Sequence, residues 1–159
     1  RDLRMSRGLG DVYKRQRENC TFAQIVATKP YSDQASAREM TEQMMREHPK
    51  IRCIVGVSDM SILGAYDALE AMNLLNEEMC LVGIAASAPV LKKIQEGTVI
   101  RGSVSQDTKG FAEVTIHAAI AAIQGNPLPE SSIKIEAVTM ENVAAYLQAE
   151  AASHSTPAS

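Results

Sequence analysis

A chain of 159 residues, 45% hydrophobic and 22% charged, can bury a core and has the composition of a globular protein. No apolar run reaches the roughly 18 residues of a membrane helix. The formal charge of -3 is uneven: residues 1–17 hold six of sixteen Lys/Arg and two of nineteen Asp/Glu, so they carry +4 and the remainder -7. An acidic body repels a polyanion and the basic head has no base-reading motif, so no nucleic-acid partner is expected.

In chain order, the stretch GLGDVYKRQ has no apolar period and resembles translated adaptor sequence, which predicts a non-native, disordered head over 1–17. Residues 18–150 then form one unit, and the small, polar 151–159 a disordered tail. TFAQIVAT, Thr21 to Thr28, reads as a strand. Asp33 can cap a helix over Gln34 to Glu47 with Ala37, Met40 and Met44 on one face, ended by His48-Pro49. IRCIVGV is a second strand. Asp59 is the expected N-cap of a helix to about Met72, in which Gly64 and Ala68 would allow close approach to a sheet.

MCLVGI is a third, continuously apolar strand, followed by a short helix with Ser87 as cap, Pro89 in its first turn and Gly97 as its stop. VIRGSVS is a fourth strand, and Gln106-Asp107 leads into a helix from about Lys109 to Gln124. IKIEAV is a fifth strand, and TMENVAAYLQAE a last helix capped by Thr139. This alternation predicts an α/β fold, a parallel sheet with helices on both faces.

In such a sheet, ligands bind beyond the carboxyl ends of the strands. Those ends carry Pro30-Tyr31-Ser32, Ser58-Asp59, Ala85-Ala86-Ser87 and Gln106-Asp107. Hydroxyls, carboxylates, an amide and one ring suit a neutral polar ligand. Each also has an ordinary reading: Asp59 as a cap, Tyr31 as a loop residue, Ser58 and Ser87 as turn formers. Gln106 has less reason to be there structurally, because Gln is not a favoured cap.

No nucleophile elbow, phosphate loop or HExxH helix occurs, and His48, His117 and His154 have no partner by spacing. No enzyme activity, metal or cofactor is therefore expected. Cys20, Cys53 and Cys80 lack metal-ligand spacing, and Cys53 and Cys80, inside apolar runs, read as small buried hydrophobes.

The order of motifs MTEQMMREHPKIRCIVGVSDMSILGAYDALEAM, CLVGIAASAPVLKKIQEGTVIRGSVSQDTKGF and TMENVAAYL resembles the carboxyl-terminal half of type I periplasmic sugar-binding proteins, the ribose-binding-protein family. The resemblance runs from about Thr21 to Leu147. It implies a partial type I fold in a truncated chain missing its amino-terminal lobe, and a solute-binding component of an ABC import system. Such a component holds a sugar or similar metabolite between two lobes, partners a membrane ABC permease, and is periplasmic or an extracytoplasmic lipoprotein.

Carried over by position, the resemblance implies ligand contact at Gln106, Ser58, Asp59, Tyr31 and Ala85, with Ser58 in place of the family's Asn and Ala85 in place of its Asp. It also implies that Asp107 to about Val138 packs on the missing lobe, leaving an apolar face of Val114, Ala118, Ala121 and Ala122 exposed and the chain marginally stable or self-associating. The effector-binding domain of a repressor of the lactose-repressor kind shares this fold and is the alternative; the closing TMENVAAYL favours transport.

Overall fold

The computed structural model describes residues 24–128 and 134–154. Capping chemistry sets its first helix, α1 (Gln34–Glu47): Asp33 accepts from the Ser36 amide and Ser36 Oγ accepts from the Asp33 amide, a reciprocal box that satisfies two otherwise orphaned donors. The next elements are β1 (Cys53–Val55), α2 (Asp59–Ala71), β2 (Cys80–Ile84), α3 (Ala88–Gln95) and β3 (Ile100–Gln106). Then follow α4 (Thr108–Ile123), β4 (Ile135–Thr139) and α5 (Val143–His154). The four strands form one sheet in the order β1-β2-β3-β4.

The fold is α/β, with one departure from the all-parallel expectation. β1, β2 and β3 are parallel, but β4 runs antiparallel to β3, pairing Gly102 with Thr139 and Gln106 with Ile135. Ile135 to Val138 therefore belongs to this sheet, and Val138 is fully buried in its core. Of the segment expected to pack elsewhere, only α4 makes no extensive contact with another described element. Its Phe111, Ile116, Ile120 and Ile123 are exposed, while Val114, Ala118 and Ala121 are half-buried and Ala122 is exposed.

The expected first strand does not form over its described part. Residues 24–31 carry no strand, and Ile25 and Val26 are exposed; residues 21–23 lie outside the described residues. A strand needs a ladder partner to satisfy its amides, and none of the four strands pairs with this segment.

Apart from Gly102, the buried strand positions fall on one face. Ile54 pairs with Leu81, Leu81 with Ile100, Gly83 with Ser103 and Ser103 with Val138. Against these pack Ile62, Ala65 and Leu69 of α2, Val90, Leu91 and Ile94 of α3, and Val143 of α5. The alternate positions Cys53, Val55, Ala137 and Ile135 are exposed. α1 packs on α2. Their contact is close because Gly64 has no side chain: a Cβ there would run into the Gln34 carbonyl. The approach expected to be to a sheet is thus to a helix. It also selects the buried row of α1, which is Ala37, Thr41 and Met45 rather than Ala37, Met40 and Met44, with Thr41 Oγ1 donating to the Ala37 carbonyl at 2.8 Å.

Candidate functional site

Because β1, β2 and β3 are parallel neighbours, their carboxyl ends share one edge of the sheet, and each end passes directly into a helix or a cap. After β1, Ser58 rather than Asp59 is the N-cap of α2; its Oγ accepts from the Ser61 amide at 3.3 Å, and Ser61 Oγ donates back to the Ser58 carbonyl at 2.7 Å. The same Ser58 Oγ lies 2.7 Å from Tyr31 Oη. A hydroxyl pair from two distant segments is thus fixed beside β1.

Asp59, displaced to the first helical position, turns inward and is 3% exposed. Its Oδ2 accepts from the Ser87 amide at 2.6 Å and from Ser87 Oγ at 2.8 Å. Its Oδ1 accepts from Ser103 Oγ at 2.6 Å, and Ser103 Oγ in turn accepts from the Ala86 amide at 3.0 Å. One carboxyl group therefore ties the start of α2, the β2–α3 loop and β3 together. This corrects the expectation that Asp59 is the cap of α2, and both of its oxygens accept hydrogen bonds within the protein. Ser87 sits at the N-cap of α3 without capping it, its hydroxyl being given to Asp59.

The loop held by Asp59 is strained. Ala85 has φ of 130° and Ala86 of 52°, conformations that residues with a Cβ rarely adopt. Backbone of this kind persists where surrounding contacts over-determine it, and it concentrates at binding sites. Here the contacts are the Ala85 amide to the Val104 carbonyl at 2.9 Å and the Ala86 amide to Ser103. Ala85 itself is exposed.

Gln106 closes β3, exposed, on the far side of β2 from Ser58. Asp107 caps α4 through the Gly110 amide at 2.8 Å, leaving Gln106 outside the cap. With Thr108, Phe111 and Ile135 it lines a hollow of about 230 Å³. Along the edge the structure thus brings Tyr31 and Ser58 into contact, sets Ala85 between them and Gln106, and withdraws Asp59. Sequence reasoning missed Ser103, whose signal, a Ser inside a strand, is unremarkable until Asp59 is seen against it. Among the described residues no group of His, Cys, Asp and Glu could hold a metal ion.

The parallel strands thus present hydroxyls, an amide and strained backbone along their carboxyl-end edge, where ligands of open α/β sheets bind. The sequence profile of the family described as periplasmic binding protein domain matches residues 5–127, and the chain belongs to that family. An ABC transporter solute-binding protein of Bacillus halodurans, solved with bound myo-inositol, is 28% identical with a TM-score of 0.73, over 86% of this chain and 47% of that one. The myo-inositol-binding protein of Caulobacter is 20% identical with a TM-score of 0.73, over 84% and 46%. The periplasmic binding component of the arabinose ABC transporter of Shewanella, bound to arabinofuranose, is 18% identical with a TM-score of 0.74, over 94% and 53%. The chain spans about half the length of these solved structures. No curated protein sequence matches it.

Proposed function

We propose that this chain supplies one lobe of a solute-binding component of an ABC import system, with a sugar or cyclic polyol held at the strand-end edge. The observation that carries the reading is the edge itself: Tyr31 and Ser58 hydroxyls 2.7 Å apart, the backbone of Ala85 and Ala86, and the exposed amide of Gln106. A polyhydroxy ligand offers alternating donors and acceptors, which hydroxyls and an amide can both match. With the Asp59 oxygens occupied and Ala at position 85, this part of the edge offers hydroxyls, backbone and an amide, a set that suits a neutral ligand.

The unpacked apolar side of α4 supports a second lobe as partner, since the ligand then lies between two bodies that close by a hinge. The membrane permease of the system is the further partner, and the protein works outside the cytoplasmic membrane, in the periplasm or as a lipid-anchored form. Two of the three similar structures are described as ABC-transporter binding components, which weighs for transport over a repressor-type sensing domain. A thermal-shift screen of the chain against polyols, pyranoses and furanoses tests the reading. A ligand-specific rise in melting temperature, lost in Gln106→Ala, is expected; a rise unchanged in Gln106→Ala and in Tyr31→Phe would reject this edge as the site.

A further inference from the structure

Cys53 and Cys80, which the sequence presents as buried hydrophobes in separate apolar runs, are direct register partners on the parallel strands β1 and β2. They occupy the sheet face opposite the packed helices. Cys53 is exposed and Cys80 half-exposed, and both are free thiols. Burial of its sulfur, then the adjacent Cys80 charge and hydrogen bond, push the Cys53 thiol up to about 11. The two side chains thus lie within reach of one another across the strand pair.

We propose that Cys53 and Cys80 form a reversible thiol–disulfide pair on the open face of the sheet, oxidised by a low-molecular-weight disulfide. Cys80 thiolate attacks one sulfur of the oxidant, and its first thiolate leaves. Cys53 then gives up its proton, its sulfur attacks Cys80 Sγ in the mixed disulfide, and the second thiolate leaves. Two electrons pass from the cysteine pair to the oxidant, which ends as two thiols after taking up two protons.

Geometry makes the bridge labile rather than a permanent staple. Neighbouring strands lie about 4.7–4.9 Å apart, inside the Cα range a disulfide spans, but the Cβ atoms must close further, to about 3.5–4.5 Å. Among the described residues β1 is a three-residue edge strand and can yield. Exposed or strained disulfides are the ones that exchange with small thiols. When closed, the bridge ties together the starts of the two strands whose far ends carry Ser58 and Ala85.

The test uses the whole chain in glutathione buffers of graded redox ratio, quenched by alkylation and digested with trypsin. Cys53 to Lys92 contains no internal Lys or Arg, so both cysteines fall on one peptide. Oxidation is expected to leave that peptide lighter by two hydrogens and to remove two of the three alkylatable thiols, with full reversal in reduced glutathione and unchanged behaviour in Cys20→Ser. Cys53→Ser and Cys80→Ser must each leave only a glutathione adduct on the remaining partner. The proposal is overturned if the peptide keeps both thiols in fully oxidised glutathione, carries only glutathione adducts, or bridges instead to Cys20 or to a second chain.

Discussion

Replacing Asp59 by Ala should be the most damaging single change at the strand-end edge. The carboxyl group accepts three hydrogen bonds, from the Ser87 amide, Ser87 Oγ and Ser103 Oγ, all of 2.8 Å or less, at 3% exposure. A hydrogen bond contributes about 0.5–1.5 kcal/mol net, and up to about 3 when one partner is charged, while a buried donor left alone costs about 1–3 kcal/mol. Ser87 is half-buried and regains some water, so its share is discounted; Ser103 is 2% exposed and does not.

The sum is about 3–4 kcal/mol, a large part of the roughly 5–15 kcal/mol of a typical domain. In urea unfolding followed by circular dichroism this moves the midpoint down by about 2 M at a slope of about 2 kcal/mol per M. Ser103→Ala removes one donor and costs less, about 1–2 kcal/mol, and the double variant should fall short of the sum because the residues share one network. A loss below about 1 kcal/mol in Asp59→Ala would refute the claim that this carboxyl group ties the three segments together.

Gly64→Ala should destabilise by about 1–3 kcal/mol in the same assay, although Ala gains about 1 kcal/mol of helix propensity, because the new Cβ meets the Gln34 carbonyl; stabilisation would show that α1 and α2 are not in close contact. Ala85→Gly should stabilise by about 1 kcal/mol, relief of strain at φ 130° exceeding the entropy that glycine adds to the unfolded chain; a net loss would mean that this backbone is not strained. Hydrogen bonds from the Ser36 backbone and side chain hold the Asp33 carboxyl below its ordinary 3.8, and those from Lys134 and Tyr146 hold Glu136 below 4.5. Both groups release protons more readily when folded, so their support is complete above those ordinary values and fades as pH falls through the lower folded ones. Asp33→Ala should therefore narrow the stability difference between about pH 5 and about pH 2; an unchanged difference would remove the cap from the acid response.

Elements whose signals are local were legible in the sequence. The Asp33 cap and α1 follow from a cap residue set before an apolar helical face, and the strand–helix alternation through Gln106 follows from apolar runs broken by Ser, Asp and Gly. What escaped depends on partners far along the chain. Asp59 has the form of a cap, and only Ser87 and Ser103, 28 and 44 residues away, reveal that it faces inward. The direction of β4 is invisible to periodicity, since alternation is the same for parallel and antiparallel neighbours. TFAQIVAT has strand composition, yet composition cannot provide the hydrogen-bonded neighbour that a strand requires. Cys53 and Cys80 sit in apolar runs that suggest burial, but they fall on the sheet face the packed helices leave uncovered. At the site, Tyr31 and Ser58 could each be singled out from position, whereas their contact could not.

The role of the strand-end edge rests on where a ligand touches the chain. The most direct measurement is titration of the isotope-labelled chain with myo-inositol and with a panel of pyranoses and furanoses, following backbone amide shifts. The prediction is saturable movement confined to Tyr31, Ser58, Ala85 to Ser87 and Gln106 for at least one neutral polyol or sugar. Saturable movement centred elsewhere, or none across the panel, would contradict a sugar or polyol site at the strand-end edge.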